Sequence, residues 1–137
     1  MNNTKERILE ILQRHIIVKD SAIGTTLTGT RRDIVPDTIS LTDSKRVVKL
    51  YEESIKAGAQ IITSNTFLSD PLMLRECKVE QTTDEVVAAS LKAAKEARER
   101  CGKEVFIAGS IGPSTRNISL AIDLKEAADK YYSGSTR

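Results

Sequence analysis

The sequence predicts an α/β fold built from parallel βα units. Compact apolar runs at 16–18, 59–63 and 105–109 alternate with amphipathic helical segments in the order α-β-α-β-α-β-α. The runs are near-continuously apolar, as strands buried on both faces of a parallel sheet are. A polar turn follows each run. Strands that alternate with helices pair in parallel through right-handed crossovers.

Each element has its own local reason. Asn3 with Glu6 resembles a capping box, and Ile8, Leu9, Ile11 and Leu12 follow at roughly helical spacing, which predicts a helix over about 4–14. Ile16-Ile17-Val18 is β-branched and reads as a buried strand ending at Asp20. The segment 24–41, rich in Thr, Gly, Arg and Asp, reads as a long loop. Thr42 caps a helix whose apolar face is Val47, Val48, Tyr51 and Ile55, with Gly58 as its stop. Residues 59–63 form the second strand, and Ser64-Asn65-Thr66-Phe67 leaves its C-terminal end. A connecting stretch over 68–79 carries a helical turn after Pro71. Thr82 with Glu85 is a second capping box, opening a helix to about Arg100 that Gly102 ends. Val105 to Gly109 is the third strand, and Asp123 with Glu126 caps a last helix.

Composition narrows the function classes. A net charge of +2 from 21 basic and 19 acidic residues argues against a dedicated nucleic-acid or membrane-surface binder. No apolar run approaches the roughly 18–20 residues that span a bilayer. No secretory core follows Met1, so a cytoplasmic location is the expectation. Cys77 and Cys101 are unclustered and His15 stands alone, so no self-contained zinc site is visible. His15 reads as a boundary residue and both cysteines as ordinary thiols. Two architectures fit the pattern, an open three-layer sheet or successive units of a (β/α)8 barrel. A full barrel takes about 250 residues.

Ligands of parallel α/β folds meet the C-terminal ends of the strands. Three polar turns occupy those ends: 20–25, 64–67 and 109–115. Asp20, directly after an apolar run, could grip a cationic group such as a substrate ammonium, or cap the following turn. Asn65 and Thr66 offer short donors and acceptors, with an Asx-type turn as the simpler reading. Phe67 could line a pocket or join the core. The turn at 109–115 could hold an anion on its backbone N–H groups, or be a sharp structural turn.

These turns, in this order, resemble the homocysteine S-methyltransferase family, and within it the homocysteine-binding barrels of cobalamin-dependent methionine synthases. Asp20-Ser21-Ala22-Ile23-Gly24-Thr25 stands where the family usually has Asp-Gly-Ala-Met-Gly-Thr. Pro36-Asp37 through Ser40-Leu41-Thr42 is a second match. Ala57 to Phe67 resembles the family's Ala-Gly-Ala-Asp-Ile-Ile-Glu-Thr-Asn-Thr-Phe, and Ala108-Gly109-Ser110-Ile111-Gly112-Pro113 matches closely.

The resemblance implies a (β/α)8 TIM barrel, with residues 1–137 as the N-terminal portion of a barrel that is incomplete in this chain. It implies methyl transfer to the homocysteine thiol to give methionine. A zinc ion would hold the thiol as thiolate, and methylcobalamin or another methyl compound would be the donor. Asp20, Ser21 and Ala22 would orient the amino-acid end of homocysteine, Asn65, Thr66 and Phe67 would line the pocket, and Ser110 and Gly112 would shape its rim. Three departures stand out. Nothing corresponds to the family's zinc-binding cysteines, Ser21 replaces Gly, and Thr63-Ser64 replaces Glu-Thr, which removes a carboxylate from the pocket wall. The expectation is therefore that the chain binds no cofactor itself and lacks activity alone. Two other readings follow from the residues: a non-enzymatic half-barrel that self-associates or pairs with a complementary chain, and an open α/β anion-binding domain.

Overall fold

The computed structural model describes residues 4–113. Asn3 of the first capping box, Ser114 and Thr115 of the third turn, and the helix expected after Asp123 lie outside the described residues.

The architecture is mixed α/β around a two-stranded parallel sheet. Helix α1 (Thr4–Leu12) is followed by α2 (Ile23–Thr28), a 3₁₀ turn (Pro36–Thr38), α3 (Ile39–Thr42) and α4 (Ser44–Lys56). Strand β1 (Ile61–Thr63), α5 (Pro71–Glu76), α6 (Thr83–Cys101) and β2 (Phe106–Ala108) complete the order. The strands pair Ile61 with Phe106, Ile62 with Ile107 and Thr63 with Ala108. Among the described residues, no helix is long and apolar enough to cross a membrane.

The two long helices form where local signals agree. The Asp43 side chain accepts from the Arg46 N–H and opens α4, one residue beyond the Thr42 expected as its cap. The α6 capping box is complete: the Glu85 N–H donates to the Thr82 hydroxyl, and the Thr82 N–H donates to the Glu85 carboxylate. The Thr82 N–H and the Thr82 hydroxyl, which both donate to it, hold the Glu85 carboxyl below its usual range. Gly102 ends α6 at φ 58°, and Gly58 follows α4 at φ 110°, backbone regions that side chains resist.

The core lies between these helices and the sheet. Val47, Val48, Tyr51 and Ile55 of α4 are buried with Ala93, Ala94 and Ala97 of α6, Ile62 of β1 and Val105. The alanines face the bulky α4 side chains, so large and small residues interdigitate. The Tyr51 hydroxyl donates to the Thr63 carbonyl at 2.9 Å and so ties α4 to the end of β1. Burial pushes the Tyr51 hydroxyl pKa up to about 12.

Two sequence expectations are corrected. The run 16–18 is not a buried strand: Ile16 is 90% exposed and Val18 53%. It lies alongside β1 with a single bridge, Lys19 to Ile61, and the Val18 carbonyl accepts from the Gln60 N–H. β-branching alone buries nothing. The segment 24–41 is not a loop throughout, because α2, the 3₁₀ turn and the start of α3 lie within it. The Thr26 and Thr28 hydroxyls donate to the carbonyls four residues earlier, at 2.8 and 3.0 Å, and Pro36 pre-sets the first 3₁₀ position.

Tyr51→Phe should cost about 1–2 kcal/mol, because it leaves the Thr63 carbonyl without this donor. Urea unfolding at neutral pH measures that loss. The raised folded pKa adds a sign: stability is intact below pH 10 and falls as pH climbs through about 12. The variant should lack that alkaline loss.

Candidate functional site

The parallel register brings the ends of three segments to one side of the sheet. Asp20 makes the first joint. Its carboxylate is buried and accepts from the Thr63 N–H at 2.8 Å and the Thr63 hydroxyl at 2.7 Å. The Lys19 ammonium also donates to it, at 2.9 Å. Among the described residues, the cation that Asp20 grips is therefore its own neighbour.

The second joint links β1 to β2. The Ser110 N–H donates to Ser64 Oγ at 3.0 Å, and Thr66 Oγ1 donates to the Ser110 carbonyl at 2.7 Å. Ser64 Oγ and Thr66 Oγ1 are 2.8 Å apart, and with the Thr66 proton committed to Ser110, Ser64 donates. The bonds close a ring that pins the turn after β2 to the turn after β1. Gly112 packs against the same turn, and a Cβ there would fall 2.1 Å from the Phe67 carbonyl oxygen. No side chain fits at that approach.

Asn65 and Asp37 fix the third wall. The Asn65 side-chain amide donates to the Pro36 carbonyl at 2.8 Å and to Ser40 Oγ at 3.2 Å, while its backbone N–H donates to Ser90 Oγ at 2.7 Å. Asn65 thus clamps the end of β1 to the 3₁₀ turn, α3 and α6. Asp37, 1% exposed, accepts from the Leu68 N–H at 2.7 Å and the Ser69 hydroxyl at 2.6 Å. Burial raises the Asp37 pKa, against these two donors, which lower it.

Between these joints lies a cleft of about 340 Å³. Ser21, Ala22, Asn65, Phe67 and Ser110, all expected site residues, line it, together with Lys19, Asp37 and Thr63. Thr66 and Gly112 line a smaller adjoining cleft of about 160 Å³, which shares Ser64, Phe67 and Ser110 with the first. Asp20 stands behind the wall made by Lys19 and Thr63. Phe67 is 52% exposed and belongs to the rim, not the core. The arrangement offers a ligand short hydroxyl side chains and an aromatic ring at the rim.

Asp37, Ser40, Ser69 and Ser90 were not singled out as site residues from the sequence. Asp37 had one available signal, its place in the matched segment that begins at Pro36. Ser69 and Ser90 had none, since short hydroxyl residues in a connection and in a helix look alike whether buried or solvated. His15 is exposed at the end of the turn after α1. Cys77 is exposed after α5, and Cys101 is half-buried at the C-terminal end of α6.

The fold and site define a chain of the parallel α/β class with a cleft at its strand ends. The sequence model of the homocysteine S-methyltransferase family matches residues 17–135, and the chain belongs to that family. Family membership brings zinc into question. Among the described residues, no group of three or more His, Cys, Asp or Glu side chains could hold a metal ion. The described residues do not fit the family's zinc.

Asp37→Asn tests the buried carboxylate. Its folded pKa is raised, so its contribution is fully present below the ordinary value of 3.8 and is lost as pH rises through the folded value. Asparagine keeps an acceptor for Leu68 and Ser69 without the charge. The variant should therefore gain stability relative to the parent between pH 4 and pH 7, measured by urea unfolding at both. Asp37→Ala, which strips both donors of their acceptor, should lose about 1–3 kcal/mol at either pH.

Proposed function

We propose that this chain binds homocysteine at the strand-end cleft and takes part in methyl transfer to its thiol, giving methionine. The reading treats residues 1–137 as the N-terminal portion of a (β/α)8 barrel. What supports it most is the convergence of Ser21, Ala22, Asn65, Phe67 and Ser110, from three separate segments, on one cleft of about 340 Å³. That volume accommodates an amino acid with a short thioether or thiol chain.

The roles follow from the chemistry of the wall. Asp20 orients the substrate ammonium, and the backbone and hydroxyl of Ser21 with Ala22 hold the amino-acid end. Asn65, fixed by Pro36 and Ser40, keeps the wall in place when the cleft is empty. Phe67 covers the methylene chain, and Ser110 with Gly112 shapes the rim. During transfer the thiol gives its proton to water, the sulfur lone pair forms the new S–C bond, and the donor keeps the electron pair of the methyl bond that breaks.

Titration of the isotope-labelled full chain with homocysteine under reducing conditions tests this reading. Amide signals of Ser21, Asn65 and Ser110 should shift together and saturate at millimolar ligand, and methionine should shift the same set. No movement at those amides with either ligand overturns it.

A second reading, assembly with another chain, has its own support. The apolar Ile16 and Val18 stand exposed beside β1, and among the described residues β2 pairs with β1 alone. Unpaired edges and exposed aliphatic side chains favour association. Sedimentation at tens of micromolar should give species heavier than a monomer. A sharp monomer that binds no hydrophobic dye removes this reading.

A further inference from the structure

We propose that Lys19 is an internal occupant of the site's ammonium cradle, which a ligand ammonium displaces on binding. The inference rests on the homocysteine reading above and adds a residue that decides affinity and specificity at the same cleft. Three oxygens converge on Lys19 Nζ: Asp20 Oδ1 at 2.9 Å, the Asp20 carbonyl at 3.1 Å and Thr63 Oγ1 at 3.0 Å. An ammonium has three N–H donors, and each finds an acceptor. Lys19 therefore fills the cradle and aims none of its three N–H groups at the cleft.

The two sides of this contact differ in freedom. The Asp20 side chain is 1% exposed, and the Thr63 N–H and hydroxyl hold it as well. The Lys19 side chain is 58% exposed. It reaches the cradle from the solvent side, and its flexible stem can swing out while Asp20 stays fixed. Lys19 and Thr63 both line the cleft of about 340 Å³, so an amino acid seated there brings its own ammonium to the same three oxygens. Among the described residues, Asp37 is the other ionisable side chain that lines this cleft, and its carboxylate is engaged by Leu68 and Ser69.

An internal competitor lowers apparent affinity by the fraction of time the cradle is open. It also erases discrimination, because a ligand without an ammonium leaves Lys19 in place and loses little. Lys19→Met removes the cation and keeps a stem of similar length. By calorimetry on the full chain, Lys19→Met should bind homocysteine about tenfold more tightly than the parent, for a cradle open about a tenth of the time. Binding of 4-mercaptobutanoate, which lacks the ammonium, should not tighten. Equal or weaker homocysteine binding by a folded Lys19→Met overturns the inference and leaves the homocysteine reading standing. Binding of neither ligand by either protein overturns both. The parent chain gives a second measurement that needs no variant. Trace acetylation of Lys19, read by peptide mass spectrometry, should accelerate severalfold when homocysteine saturates the cleft. An unchanged rate at saturation overturns the displacement.

Discussion

The bond from the Thr63 N–H to the Asp20 carboxylate is the contact on which the rest of the site depends. Strand pairing beside β1 ends at Lys19, and beyond it the chain has to turn into α2. A carboxylate that takes both the backbone N–H and the hydroxyl of Thr63 fixes where that turn begins. Thr63 in turn pairs with Ala108 on β2 and offers its carbonyl to Tyr51 on α4. One residue pair thus sets the relative height of the first turn, the sheet end and the helix behind it. The ring of Ser64, Thr66 and Ser110 then extends the same level to the third turn.

Much of this was legible in the sequence where the cause is local. The α6 capping box is written in Thr82 and Glu85, and the α4 face in the spacing of Val47, Val48, Tyr51 and Ile55. The strand-end rule placed Ser21, Asn65 and Ser110 at one cleft because a parallel register leaves no alternative. Burial was less legible, since it depends on what lies opposite. Ile16 and Val18 are as β-branched as any core strand, yet they stand exposed where β1 gives them one neighbour. In 24–41 the Thr, Gly, Arg and Asp content suggested a loop, while the Thr26 and Thr28 hydroxyls bond back along a helix.

The site's hydroxyl residues illustrate the same limit. Ser40, Ser64, Ser69 and Ser90 are all buried, and each accepts or donates across elements distant in sequence. Small polar side chains suit a strand-end wall because each satisfies a backbone amide or a neighbouring side chain in little volume, and an unpaired donor in that position would cost about 1–3 kcal/mol. Their pattern is invisible to periodicity, because it follows the meeting of three loops and not the repeat of one element. Asp37 belongs to this group. Its carboxylate supports the Leu68 and Ser69 connection at the cost of a raised pKa, and the connection carries Phe67 to the cleft rim.

The replacement of the family's Glu-Thr by Thr63-Ser64 changes the charge logic of this wall. A carboxylate at position 63 would give a cation a second anionic partner, whereas Thr63 supplies a hydroxyl that both donates to Asp20 and accepts from Lys19. The two oxygens of Asp20 then divide the work. Oδ2 holds the Thr63 amide in a buried bond that fixes the turn. Oδ1 faces Lys19 and the Thr63 hydroxyl, on the side where an exposed ammonium meets water. A bond that leaves one partner solvated is weak, since water screens it and rehydrates the cation on release. A buried amide bond has no such alternative. Exchange of the cation at Oδ1 can therefore occur without loosening the strand ends, so the same aspartate can serve both the architecture and a ligand.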